Sequence, residues 1–211
     1  MTDQPATRPR TANVSADARG VTAPDGTAMA RIERAALTLF ARKGIDGVTT
    51  REIAALASVA EGSIYRHYPS KEALARALFE AIHSRLFALI EDALTGAGDD
   101  FETAVTRVVE VYCHAADADR VLFEYHITQM FRFAREDAAG RPDPTGLIAR
   151  RIARAMAEGD CPRGDAELKT AAALGVVLQP AAHRMAGRLS IALSDHSQAL
   201  ALAALSALRA A

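Results

Sequence analysis

Apolar residues recur at three-and-four spacing along most of this chain, the period of helices that bury one face. From Thr27 to Lys43 the stripe is Ile32, Ala35, Ala36, Leu39 and Phe40, and Gly44 ends the segment after two cations that suit a helix C-terminus. Two short helices then fill Val48 to Lys71. The first starts at Thr50, with Thr49 as N-cap and Glu52 three residues on, and buries Ile53, Ala54, Leu56 and Ala57. After a break at Ser58 and Val59, the second runs from about Ala60 to Tyr68 and stops before Pro69. Its inner residues are Ile64 and Tyr68, four apart. A long helix follows from Lys71 to about Thr95, with Leu74, Leu78, Ile82, Leu86, Ile90 and Leu94 on one line. Beyond Gly96 and Gly98 the pattern predicts helices at Phe101 to Ala116, Arg120 to Asp137, Thr145 to Glu158, Ala166 to Ala192 and Ser197 to Arg209. Clusters of Gly, Pro, Asp and Ser separate the last four, and Pro180 should kink or split the helix that contains it.

Composition agrees with this all-α reading. Half of the residues are hydrophobic and only 5% aromatic, which favours helices over strands. Residues 1–26 differ: they hold three prolines, two glycines and almost no large apolar side chain, and read as a flexible arm. The domain organisation expected is an arm over 1–26, a three-helix head over 27–76 and a helical body over 77–211.

Charge changes the picture more than its total suggests. The whole chain carries -1, yet Thr27 to Arg76 holds eight cations against five anions, a net +3, and the rest from Ala77 onward is -4. A basic head on an acidic body fits a protein whose head alone meets phosphate. The second short helix leaves Gly62, Ser63, Tyr65, Arg66 and His67 for an outer surface, a mix that suits a helix pressed into a DNA major groove. A plain surface hairpin would have the same pattern. In the arm, Arg8, Arg10 and Arg19 could reach a minor groove, though Asp3, Asp17 and Asp25 cancel their charge.

The stretch FARKGIDGVTTREIAALASV followed by EGSIYRHYPSKEALARAL resembles the DNA-binding head of the TetR family of transcriptional regulators. The resemblance covers Thr27 to Phe79. It rests on the Phe40 to Gly44 helix end, the Thr49-Thr50 entry, Ile53-Ala54, Tyr65 with Tyr68, and Lys71 followed by Leu74. Two positions depart from the family pattern: Ser58 where glycine is usual in the turn, and Ala60 where a hydroxyl cap is frequent. The resemblance implies that Thr50 and Arg51 hold a phosphate or reach a base, that Gly62 and Ser63 let the backbone approach the bases, and that Arg66 and His67 reach base edges or phosphate. Tyr65 and Lys71 would contact the DNA backbone. Glu61 is left out, since a carboxylate near phosphate is a liability unless it accepts from a cytosine amine.

The body carries two further expectations. The segments TAAALGVVL and ALALAALSALRA are apolar around much of their circumference, which predicts a homodimer joined through a four-helix bundle of residues 166–192 and 196–209 from each chain. Tyr112, Phe123, Tyr125, His126, Met130, Phe131 and Phe133 gather most of the body's aromatics into two consecutive helices. They suit a small-molecule effector pocket or an ordinary core, with His126 and His114 as polar handles. The partners expected are therefore a palindromic double-stranded operator, a small apolar or amphipathic effector and a second copy of the chain.

Other classes fare worse. Glu80 and His83 form one Glu-x-x-His pair where a di-iron bundle enzyme needs two. No phosphate loop, nucleophile elbow or zinc spacing is present, so no cofactor or metal is expected. The apolar run Ala171 to Leu178 is too short to span a bilayer, and Cys113 and Cys161 follow no redox spacing. The expected setting is the cytoplasm with reduced thiols. A DNA-binding protein without a ligand stays open as an alternative and would have a filled body.

Overall fold

The computed structural model describes residues 19–134 and 143–210 of the chain. Among these the regular structure is wholly helical: α1 Ala28–Lys43, α2 Thr50–Ala57, α3 Gly62–Tyr65, α4 Lys71–Ala97, α5 Phe101–Ala118, α6 Arg120–Ala134, α7 Pro144–Glu158, α8 Ala166–Met185 and α9 Ser197–Ala210. A single 3-10 turn, Ser194–His196, leads into α9. Two compact units divide between Ala81 and Ile82, within α4, where the sequence reading divides the chain after Arg76.

The head unit is built on side-chain caps that the sequence announces. Thr27 accepts from the Ala30 N–H at the start of α1, and Gly44 closes it with φ 71°. Its buried face is Ile32, Glu33, Ala35, Ala36, Leu37 and Phe40. Leu37 takes the place expected of Leu39, which is half-buried, and a carboxylate stands in the stripe. Glu33 is fully buried because it has donors: Val21 N at 2.6 Å, Thr22 N at 3.1 Å, the Thr22 hydroxyl, and the Tyr68 hydroxyl at 3.3 Å. Residues 19–26, expected as the end of the arm, are thereby held against α1, and Arg34 also donates to the Arg19 carbonyl at 3.2 Å. Residues 1–18, with Arg8 and Arg10, lie outside the described residues.

In the body unit α9 packs on α8 and α5, α7 on α8, and α6 on α5. Ile90, Val108, Val109, Tyr112, Ile152, Val177 and Leu208 belong to its buried core. The expected helix Ala166 to Ala192 is shorter: α8 runs through Pro180 without splitting and stops at Met185. Its terminus explains the early end. The Arg188 N–H reaches back to the His183 carbonyl and the Gly187 N–H to Arg184, with Gly187 at φ 70°, a left-handed cap that a side chain would strain. Asp117 receives the Arg184 guanidinium together with the Leu193 and Ser194 amides, fixing the loop before α9. These bonds, headed by the Ser194 amide, hold the Asp117 carboxyl down to about 2 against the opposing effect of burial. Lys169 is buried, and its ammonium donates to the Leu208 carbonyl at 2.6 Å.

Candidate nucleic-acid interface and body cavity

The Thr49 to Tyr68 segment places the site. Thr49 accepts from the Glu52 N–H while Glu52 accepts from the Thr49 N–H at 2.8 Å, the reciprocal cap that the sequence predicts. Lys43 donates to Glu52 at 2.6 Å, and this bond, with those from Thr49, draws the Glu52 carboxyl down to about 2. At the far end of α2, Ser58 adopts φ 55° and ψ 48°. Its amide bonds the Ala55 carbonyl and the Val59 amide bonds Ala54, so the turn forms with a serine in the left-handed region that usually takes glycine. Arg31 adds a bond from Nε to the Ala57 carbonyl at 3.2 Å, tying α1 to this turn.

α3 is shorter than the two turns expected. Only Gly62–Tyr65 is regular helix, with Glu61 and Arg66 helical in backbone on either side. Glu61 makes no side-chain cap and Pro69 follows closely, so neither end can be extended. Ile64 and Tyr68 are buried as predicted. Burial and the hydrogen bond with Glu33 raise the Tyr68 phenol above its ordinary value, burial being the larger cause.

The residues expected to meet DNA are displayed around this short helix. Arg51, Gly62, Tyr65, Arg66 and His67 are exposed, while Thr50, Ser63 and Lys71 are half-buried. A hydrogen-bond network already joins several. The Thr50 hydroxyl donates to Glu61 at 2.5 Å and lies 3.2 Å from the Tyr65 hydroxyl, and Arg66 donates to the Ser63 hydroxyl at 2.8 Å. Lys71 is more enclosed than a free phosphate ligand, because its ammonium donates to the Val48 carbonyl at 2.8 Å. Its ammonium also pairs with the Glu72 carboxylate at 3.7 Å. A methyl group at Gly62 would meet no atom within 4 Å, so the absence of a side chain there opens space outward. Glu61 was set aside in the sequence reading, yet it stands inside the network. Its spacing of eleven from Thr50 gave no local sign of the contact.

The body holds a cavity of about 40 Å³ walled by α4, α5, α7, α8 and α9. Leu94, Val105, Val108, Leu174 and Val177 give it an apolar lining. Of the six residues proposed for an effector pocket, Tyr112 lines it, and burial pushes its phenol up. Phe123, Tyr125, His126 and Phe133 are buried but are not in this wall, and Met130 is half-buried. Phe131, grouped with them, is 80% exposed. His126 instead pairs with His83, Nε2 to Nδ1, at 3.0 Å. Burial and that neighbouring ring lower its pKa to about 3. His114 is exposed. Arg151, which the sequence reading did not single out, also lines the cavity.

The profile described as "Bacterial regulatory proteins, tetR family" matches residues 32–78, the span of the capped turn and its flanking helices. The HTH-type transcriptional repressor KstR of Mycolicibacterium smegmatis is 31% identical over 131 residues, 62% of this chain and 63% of that protein. Over residues 32–78 the chain matches the TetR family. KstR of Rhodococcus jostii is a second relative, 34% identical over 61% of this chain and 59% of its own length. The chain thus spans about three-fifths of the length of these TetR-family repressors. A crystal structure of a bacterial regulatory protein in the tetR family from Rhodococcus RHA1 shares the fold, with a TM-score of 0.71 at 24% identity over 88% of this chain and 98% of that one. Among the described residues no helix is long and apolar enough to cross a membrane.

Proposed function

We propose that this chain is a dimeric transcriptional repressor that binds a palindromic operator through α2 and α3 and is released by a small apolar or amphipathic effector. The observation that carries the DNA reading is the two-sidedness of α3. Ile64 and Tyr68 are buried behind it, while Tyr65, Arg66 and His67 stand in solvent, as does Arg51. Such a helix spends its apolar residues on anchoring and leaves donors of the right length for a groove. Arg66 and His67 read bases or phosphate, and Thr50, Arg51, Tyr65 and Lys71 hold the backbone. Gly62 and Ser63 permit close approach.

Dimerisation is supported by the faces of α8 and α9. Leu168 is 63% exposed and Leu202 66%, and Ala171, Gly175, Ala199 and Ala203 are exposed with them. Small residues of this kind let helices of two copies pack closely, and the two-fold axis would set half-sites about 34–36 Å apart or a multiple of it. The apolar cavity supports the effector reading. Because α4 belongs to both units, it is the element through which an effector would alter operator binding. A hundredfold loss of operator affinity needs about 2.7 kcal/mol of coupling.

The test is a titration of the protein against its own upstream region at fixed salt, with a scrambled duplex as reference. Tyr65→Ala should weaken binding to every sequence, and Arg66→Ala should cost about 1–3 kcal/mol and relax specificity. Wild-type affinity in both variants, or no preference over scrambled DNA in any genomic fragment, would overturn the assignment.

A further inference from the structure

Of the described residues that wall the body cavity, Arg151 alone is charged. Its Nη2 donates to the Asp99 carbonyl at 2.6 Å, and its guanidinium carbon lies 5.3 Å from the centre of the Phe101 ring. Nε and Nη1 are buried and have no hydrogen-bond partner among the described residues. They carry three N–H groups between them, on a planar guanidinium. Buried donors in folded proteins are nearly always paired, so three on one side chain call for an acceptor.

The neighbouring acids do not provide it. Asp99 gives its carboxylate to Arg154 and is largely exposed, while Asp100 caps α5 by accepting the Thr103 amide at 2.9 Å. Nη2 also retains a second hydrogen after serving Asp99, so an anion can take a two-pronged grip on the guanidinium through Nη2 and one of its free neighbours. A planar carboxylate matches that fork. The rest of the wall, with Leu94, Val105 and Leu174, accepts only hydrocarbon.

We infer that Arg151 is the anchor for the free carboxylate of an apolar acid whose hydrocarbon body occupies this cavity. The inference rests on the effector reading above and narrows its ligand class to organic acids. Size adds a consequence. At about 40 Å³ the cavity is far below the roughly 300–1,000 Å³ of sites that enclose a whole ligand. An acid can therefore seat its hydrocarbon only as the partly buried walls Leu94, Val105 and Leu174 yield. The ligand then favours an expanded body over the closed one, the differential affinity that a switch requires.

The experiment is calorimetry on the full chain with straight-chain acids from hexanoate to dodecanoate and one alicyclic acid, each paired with its methyl ester. Wild type should bind at least one acid about tenfold or more tighter than its ester, the ester having lost the charge but kept the shape. Arg151→Met should erase the preference while leaving ester affinity little changed, which also reports that the body is folded. Arg151→Lys, with charge but no fork, should fall between. Equal binding of acid and ester, a preference that survives Arg151→Met, or no saturable binding of any acid would overturn the inference. Operator titrations on the same samples separate the two readings. Normal operator binding without acid preference removes this inference alone, and acid preference without operator binding removes the regulator alone.

Discussion

Replacing Glu33 by alanine should destabilise the head more than any change to its exposed face. The carboxylate is fully buried and accepts from Val21 N, Thr22 N, the Thr22 hydroxyl and the Tyr68 hydroxyl. Hydrogen bonds to a charged group contribute about 1.5–3 kcal/mol each, so the two amides alone set a loss of about 3–6 kcal/mol. Two effects reduce it. Val21 and Thr22 are only partly enclosed and can turn to water, and the variant no longer keeps a carboxylate out of solvent. Tyr68 cannot escape in the same way, because it is 7% exposed. The expected net cost is therefore near the lower bound, about 3 kcal/mol. Urea unfolding followed by circular dichroism measures it, and amide exchange at Val21 and Thr22 should accelerate in parallel. Tyr68→Phe should cost about 1 kcal/mol alone and less in the Glu33→Ala background, since the two share one bond. A Glu33→Ala cost under about 1 kcal/mol with unchanged exchange would refute the idea that this carboxylate fastens residues 21–23 to α1.

Three other outcomes are expected. Gly62→Ala, placed where an added methyl meets nothing, should leave stability unchanged or raise it by about 0.4–1 kcal/mol while weakening operator binding in a mobility-shift titration; intact binding would show that the backbone does not approach DNA there. Acid should destabilise the body through His126: its folded pKa of about 3 lies below the ordinary 6.5, so between those values the unfolded chain binds the extra proton and stability falls as pH falls. The loss from pH 6.5 to 5 is about 1.6 kcal/mol, and His126→Gln should flatten that part of the stability profile. Leu202→Glu, at the exposed centre of α9, should yield monomers in sedimentation velocity without altering helix content, and an unchanged dimer would place the interface elsewhere.

What could be read from sequence alone follows how local each determinant is. The Thr49 and Glu52 cap closes within three residues, and the leucine line of α4 repeats every turn, so both are legible without a fold. The length of α3 is not: it depends on Glu61 failing to cap and turning instead to Thr50, eleven residues away. Glu33 carried a partial signal, since its spacing to Leu37 and Phe40 is that of the buried face, but its donors lie ten residues or more away on either side. Arg151 carried less. In ARRIARAM it reads as one of several solvated cations, and only the approach of Asp99 and Phe101, some fifty residues earlier, encloses it. Of the aromatic cluster, Tyr112 lines the described cavity and Phe123, Tyr125 and Phe133 are buried outside its wall, because aromatic content alone does not distinguish a wall from a filling.

The chain uses its few lysines as fastenings, while arginines stand exposed on its proposed DNA face. Only Lys43, Lys71 and Lys169 occur in the sequence, and each ammonium is engaged, by Glu52, the Val48 carbonyl and the Leu208 carbonyl. Lysine-directed chemistry, whether enzymatic acetylation or coupling to a sensor surface, would therefore cut a structural tie wherever it succeeded. Arg51 and Arg66, the exposed cations of the proposed DNA face, are untouched by such reagents. Attachment through an introduced surface cysteine would avoid the lysines, and with Cys113 and Cys161 both buried it would react at one position.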